Sequence, residues 1–207
     1  MKTLLQINTS LFGNHGQSSQ LAERFAADWR AENPGASVIH RDLAGEPVPH
    51  LTGETFQAFI TKPAERSAEQ QKAVAYSDSL IDELKQADVI ALGLPMYNFG
   101  VPSTLKSYFD HVARAGVTFS YTEKGPAGLL KGKKAYIFAT RGGLYLGTPR
   151  DTETTYVRDF LAFLGIENVE FVYAEGLALG DTQKQAALAR AHQVIQQLHK
   201  PDLAFAA

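Results

Sequence analysis

The run Val89-Ile90-Ala91-Leu92-Gly93-Leu94 carries no polar side chain. A strand with one wet face alternates apolar and polar residues, whereas a strand covered on both faces reads as a continuous apolar run. A chain with such a strand must supply a covering layer on each side of a sheet. Shorter runs at Leu4 to Ile7, Ser37 to His40, Ala135 to Ala139 and Val169 to Ala174 stand too far apart in sequence for hairpins. Parallel pairing needs a crossover of about a dozen residues or more, usually a helix.

The intervals supply those helices. Leu21, Phe25 and Trp29 recur every fourth residue, with Glu23, Arg24 and Arg30 elsewhere on the wheel. A longer helix is predicted from Ser67 to Gln86, opened by a Ser67/Gln70 capping box, with Tyr76, Leu80 and Leu84 in one stripe. Tyr156, Phe160 and Phe163/Leu164 mark a helix ended by Gly165; Leu188, Ala191, Ile195 and Leu198 mark the last, ended near Pro201. The alternation implies one α/β domain over residues 1–207, a three-layer sandwich around a five-stranded parallel sheet. The flavodoxin-like order 2-1-3-4-5 suits five strands, with a ligand beyond their carboxyl ends. Residues 43–62, punctuated by Gly45, Pro47, Pro49 and Gly53, read as an extended connection with room for one helical turn. Residues 114–134 are similarly irregular around the alternating stretch Val117 to Tyr121.

A balance of 20 Lys+Arg against 22 Asp+Glu leaves a net charge of -2, which offers no footprint for nucleic acid or an anionic membrane. Cysteine is absent, so thiol nucleophiles, thiolate metal sites and disulfides are excluded together. The six histidines lack metal-ligand spacing, and no metal is expected. Gln6 and Asn8 interrupt the N-terminal apolar run, and no window approaches the ~18 apolar residues of a spanning helix. A cytoplasmic protein is expected.

Three loops follow strand ends and would converge on one crevice. Thr9 to Ser19 is rich in glycine and hydroxyl groups and opens a helix, a place where backbone N–H groups can bind phosphate. It holds no Lys or Arg, so neutral donors must serve; the competing role for Ser18 is helix capping. Pro95 to Ser103 exposes Met96, Tyr97 and Phe99 together beyond the most apolar strand, with Ser103 placed to cap the next helix. In Thr140-Arg141-Gly142-Gly143-Leu144-Tyr145, adjacent glycines permit close approach of backbone to a ligand. Two look-alikes fail: Gly132-Lys133-Lys134 is no phosphate loop, and Gly16 to Gln20 lacks the last glycine of a hydrolase elbow.

The segments Asn8-Thr9-Ser10, Gly16-Gln17-Ser18, Met96-Tyr97-Asn98-Phe99 and Thr140-Arg141-Gly142-Gly143 resemble the flavin-binding segments of bacterial FMN-dependent NAD(P)H azoreductases, relatives of the DT-diaphorase-type quinone reductases. The resemblance extends through Arg41-Asp42-Leu43, Val112 to Phe119 and Ala174-Glu175-Gly176, nearly the whole chain. It implies a homodimer with one FMN per subunit, NADH or NADPH as donor, and quinones or azo compounds as acceptors. By the same resemblance Ser10, Gly16, Gln17 and Ser18 hold the FMN phosphate. Met96, Tyr97, Asn98, Phe99, Thr140, Arg141, Gly142 and Gly143 hold the ring system. Gly16 stands where some relatives have Ser, so only its backbone can contribute; Tyr145, assigned to the acceptor pocket, stands where some have His. Tyr121 and Phe163 are assigned as aromatic walls of that pocket, contributed within the subunit or across the dimer, and either could instead be core.

The reaction expected is ping-pong two-electron reduction of quinones and reductive cleavage of azo compounds to amines. No residue is assigned to acid/base catalysis, because the cofactor carries the chemistry. The alternative is a flavodoxin-like electron carrier without its own acceptor, although such carriers use an acidic docking surface that a charge of -2 does not provide.

Overall fold

A computed structural model describes residues 1–198, in which five parallel strands form one sheet. They are β1 (Thr3–Asn8), β2 (Ser37–Asp42), β3 (Val89–Pro95), β6 (Lys134–Thr140) and β7 (Asn168–Ala174), in the order β2-β1-β3-β6-β7. Counted along the chain this is the expected 2-1-3-4-5. A small antiparallel hairpin, β4 (Phe119–Thr122) and β5 (Gly125–Gly128), occupies the irregular stretch before β6.

Strand β3 is covered on both faces, as its composition requires. Ile90, Leu92 and Leu94 join one core with Leu80 and Leu84 of α3 (Ala68–Gln86), Tyr108 and Phe109 of α4 (Ser103–Val112) and Leu161 of α5 (Thr152–Leu164). Ala91 faces the other core, beside Leu21, Phe25 and Trp29 of α1 (Gln17–Glu32) and Ile195 of α6 (Asp181–Leu198). Each large apolar side chain so buried contributes about 1.5–3 kcal/mol, and the two cores together fix the three layers.

The local signals act as expected at several boundaries. Ser67 and Gln70 form the reciprocal capping box of α3, and Gly165 closes α5 in the left-handed conformation. The expected end of the last helix near Pro201 lies outside the described residues.

Three local expectations are corrected. The segment after β2 contains two helical turns, α2 (Gly53–Ile60), capped by the Thr52 side chain on the Thr55 N–H; the flanking prolines and glycines had masked so short a helix. Ser103 is the first residue of α4 and not its cap, since Pro102 holds the cap position without a side-chain bond. Tyr76 stays partly exposed, its ring edge-on to His111, while Leu80 and Leu84 enter the core.

Candidate functional site

The carboxyl ends of β1, β3 and β6 deliver the three loops to one edge of the sheet, and hydrogen bonds tie them together. Thr9 Oγ1 donates to the carbonyl of Gly93 at 2.7 Å, and the Met96 N–H donates to the carbonyl of Thr140 at 3.0 Å. The Tyr97 hydroxyl lies 3.4 Å from Ser10 Oγ and accepts the Leu11 N–H at 3.2 Å. Ser10, Tyr97 and Thr140, chosen from separate loops on sequence grounds, therefore belong to one assembly.

The first loop fits an anion at the start of α1. Ser10 Oγ accepts the Phe12 N–H at 3.2 Å, which folds the loop back toward the helix. Gly16 is the helix cap, with extended backbone and no capping side chain, so the competing role of Ser18 as a cap falls away. Ser18 is instead buried, and its hydroxyl, like that of Ser19, has no partner among the described residues. A buried hydroxyl without a partner costs about 1–3 kcal/mol, and the first-turn N–H groups of a helix also lack intrahelical acceptors. Donors without acceptors, at the positive end of a helix, suit a phosphate.

Close backbone approach explains two glycines there. A Cβ on Gly16 would lie 2.0 Å from Ser10 Oγ and 2.5 Å from Ser10 Cβ, so any side chain here would force Ser10 to move. A Cβ on Gly93 would lie 3.0 Å from the Ser18 carbonyl oxygen. Gly93 thus lets the first turn of α1 press onto β3. Its only sequence signal is a residue without a side chain in an otherwise bulky strand.

The second loop makes a tight turn. Tyr97 and Gly100 exchange both backbone hydrogen bonds at 3.0 Å, and the central Asn98 and Phe99 have φ of 51° and 61°. Two successive left-handed residues define a type I′ turn. For Phe99 that conformation costs roughly 1–2 kcal/mol, and Thr152 Oγ1 secures it by donating to the Phe99 carbonyl. The ring of Phe99 is left half exposed, edge-on to Tyr145 at 5.5 Å. Asn98 is exposed at the tip, and Met96 is partly buried at the start.

In the third loop the carbonyls of Gly142 and Gly143 accept the N–H groups of Ala178 and Gly176. This turns the peptides so that the two glycine N–H groups find no partner among the described residues. Tyr145 folds over Gly143, where a Cβ would lie 2.6 Å from the phenol ring. Tyr145 thus brings its ring between Gly143 and the edge of Phe99.

Arg141 does not line the crevice. Its side chain is wholly buried and points into the protein, bonded to Asp151 at 2.6 Å and Glu175 at 3.1 Å, while its N–H and carbonyl pair with Ala174 and Leu177. The expectation of a cofactor contact is corrected to a scaffold role. Glu175 Oε1 accepts in addition the N–H groups of Tyr145 and Leu146, both at 2.9 Å, so it holds the third loop from behind.

Tyr121 and Phe163 lie together, away from the three loops. Both rings flank Phe119, at 5.4 and 4.3 Å. Helix α5 starts at Thr152 beside Phe99 and runs back along the sheet; Phe163 is about 16 Å further along at 1.5 Å per residue. The end of α5 meets the hairpin instead, where a Cβ on Gly128 would strike the Gly165 backbone. Tyr121 is 76% exposed, so it is not core.

A concavity of about 730 Å³ lies elsewhere, between α1 and β2, lined by Asn8, Ser19, Glu23, His40 and Asp42 among others. It includes no residue of the second or third loop.

A family model described as a flavodoxin-like fold matches residues 1–198. The chain is 55% identical over 197 residues to an FMN-dependent NADH:quinone oxidoreductase of Cellvibrio japonicus, covering 95% of this chain and 98% of that one. A solved azoreductase from Bacillus anthracis strain Sterne superposes with a TM-score of 0.88 at 27% identity, covering 96% and 99% of the two chains. An FMN-dependent NADH-azoreductase from Bacillus anthracis strain Ames Ancestor, solved in complex with FMN, gives 0.85 at 26% identity, with 97% and 100% covered.

Proposed function

The chain belongs to the flavodoxin-like family of FMN-dependent NADH:quinone oxidoreductases, and from that premise we propose that the three-loop crevice holds FMN and reduces quinones and azo compounds with NADH. The buried, unpartnered hydroxyl of Ser18 at the start of α1 carries the reading, because it is a donor built to wait for an acceptor. Ser10, the Gly16 to Ser18 backbone and the side chains of Gln17 and Ser18 would hold the phosphate. The segments Met96 to Phe99 and Thr140 to Gly143, without the Arg141 side chain, would hold the ring system.

The chemistry that FMN supplies when bound is two-electron transfer from NADH to a quinone or azo acceptor. The protein's part is position and electrostatics. The outward N–H groups of Gly142 and Gly143 would favour negative charge on the ring edge they face. Phe99 and Tyr145 present flat apolar surface against which an aromatic acceptor can stack. No side chain in the crevice has a placement that assigns it a proton, and water can deliver it.

A homodimer completes this reading. Tyr121 and Phe163, remote from the crevice of their own subunit, would wall the acceptor pocket of the partner. The exposed apolar side chains Phe56 and Ile60 on α2 offer surface for such an association. A cytoplasmic location, where NADH is at hand, belongs to the same proposal; among the described residues no helix is long and apolar enough to cross a membrane.

The test is direct. Protein purified with its yellow cofactor should release FMN on denaturation, bleach under anaerobic NADH, and recover its colour on addition of a quinone. Release of FAD, or bleaching without recovery by any quinone or azo dye, would refute the assignment. Sedimentation should show a dimer, and an active monomer would refute the shared pocket.

A further inference from the structure

Behind the third loop lies a buried charged cluster that the proposed function leaves without a task. Arg141 and Glu153 have wholly buried side chains, and Asp151 and Glu175 nearly so. Arg141 gives one nitrogen to Asp151 and to Thr154 Oγ1, and another to Glu175. Its Nε has no hydrogen-bond partner among the described residues; the nearest carboxyl oxygen is Glu153 Oε2 at 3.6 Å, beyond hydrogen-bond reach. Both oxygens of Glu153 are likewise unpartnered.

The two neighbouring carboxyls are each bonded to Arg141 and to further donors. Asp151 accepts from Arg141, from the Thr154 N–H at 3.2 Å and from the Thr154 hydroxyl at 2.9 Å, and it is held below the usual carboxylate range despite its burial. Glu175 joins Arg141 to the Tyr145 and Leu146 N–H groups. Tyr173 of β7 completes the surroundings, its ring 5.2 Å from the guanidinium and its hydroxyl 2.9 Å from Thr154 Oγ1; Arg158, a turn further along α5, sits over Phe171. One cation already faces two carboxyls, and an ionised Glu153 would be a third without a bonded donor. A buried charge of that kind is avoided by keeping the proton.

We propose that Glu153 is a positioning residue of the crevice: neutral, it leaves Arg141 to hold Glu175 under the Gly142-to-Leu146 loop, and on losing its proton it draws the guanidinium away and loosens that loop. The proposal rests on the reading that this loop receives FMN. The unpartnered Nε of Arg141 already has Glu153 as its nearest carboxyl, so a small rotation makes a direct ion pair there. That rotation works against the bond to Glu175, the group that anchors Tyr145 and Leu146. Burial pushes the Glu153 carboxyl up to about 8, with Arg141 opposing and Asp151 adding to the rise. The loosening therefore falls just above neutral pH.

Titration of the apoprotein with FMN from about pH 6.5 to about pH 9.5, read by flavin fluorescence, tests this. Wild-type affinity should hold up to about pH 8 and then fall toward tenfold per pH unit, as a single required proton dictates. Glu153→Gln should match the wild type at pH 7 and keep its affinity through the range. Identical pH profiles for the two proteins would overturn the proposal. Infrared titration of the wild-type apoprotein reads the same group without a variant: a buried protonated carboxyl should be present at pH 7 and lost with a midpoint near 8. Its absence at pH 7 would overturn the proposal even where Glu153→Gln fails to fold. Failure to bind FMN at any pH would refute the FMN reading, while the infrared result still decides the state of Glu153.

Discussion

Gly16→Ala is the smallest change that should damage the phosphate loop. The backbone poses no objection, because Gly16 has φ of -68°, which alanine adopts freely. The objection is Ser10, whose Oγ and Cβ would lie 2.0 and 2.5 Å from the new methyl group, with the Gly13 carbonyl oxygen at 3.3 Å. Carbon atoms pack at about 3.5–4.0 Å, so Ser10 would have to retreat by about 1 Å or more. Ser10 is buried and tied to the Phe12 N–H and the Tyr97 hydroxyl. Overpacking of this kind costs about 1–3 kcal/mol, equivalent to roughly 5- to 150-fold in affinity if the loop opens to relieve it. The assay is titration of apoprotein with FMN, run as a double-mutant cycle. Ser10→Ala keeps the offending Cβ and should not rescue Gly16→Ala. Ser10→Gly removes both close atoms, so adding Gly16→Ala to it should cost little. Equal costs of Gly16→Ala in the wild-type and Ser10→Gly backgrounds would refute the packing argument, as would unchanged FMN binding by Gly16→Ala alone.

Ser18→Ala should weaken FMN binding by about 1–3 kcal/mol, the cost of deleting a donor to a charged acceptor, while thermal stability without FMN stays level or rises because the deleted hydroxyl is unpartnered; unchanged affinity would remove Ser18 from the phosphate site. Glu153→Gln should stabilise the fold. The Glu153 carboxyl lies above its ordinary 4.5 in the folded protein, so the wild type loses stability as pH rises from 4.5 and levels off above about 8. At about 1.4 kcal/mol per pH unit the variant gains about 3 kcal/mol at pH 7, and denaturant midpoints at pH 5 and pH 7 that shift equally would refute it. Steady-state kinetics with NADH and a quinone should give parallel double-reciprocal lines, since donor and acceptor take turns in one crevice; intersecting lines would show both bound at once.

The layers were legible because the central strands of the sheet carry their burial in their own composition. Val89 to Leu94 announces two covered faces, and the Leu21, Phe25, Trp29 stripe announces the helix that covers one of them. The three loops were legible for a related reason: where strand order is known, chain position alone brings Ser10, Tyr97 and Thr140 to one edge. Side-chain direction was not legible. Arg141, beside two glycines, reads as a ligand contact until Asp151, Glu153 and Glu175 are seen around it, and those partners come from other elements. Gly93 reads as a mild flaw in a strand until the Ser18 carbonyl is found where its side chain would be. Phe99 hides its turn altogether, because a bulky residue is a poor advertisement for the left-handed region. Tyr121 and Phe163 were assigned together as pocket walls, but nothing in their spacing says that Tyr121 on the hairpin stands exposed while Phe163 on α5 packs against the core beside Phe119.

The two sides of the crevice are held by opposite means, and that difference bears on how each would respond to perturbation. At the phosphate end, position is set by missing atoms: Gly16 and Gly93 let backbone and Ser10 close to contact distance. Such packing has no charge to titrate, so it should be indifferent to pH and salt and intolerant of a single added methyl group. At the Gly142–Gly143 end, position is set by a buried guanidinium shared among carboxyls, with Glu175 as the link to the loop. Removing one partner there leaves an uncompensated buried charge, which costs more than the pair itself contributes. Added bulk and added base should therefore act on different ends of the same ligand.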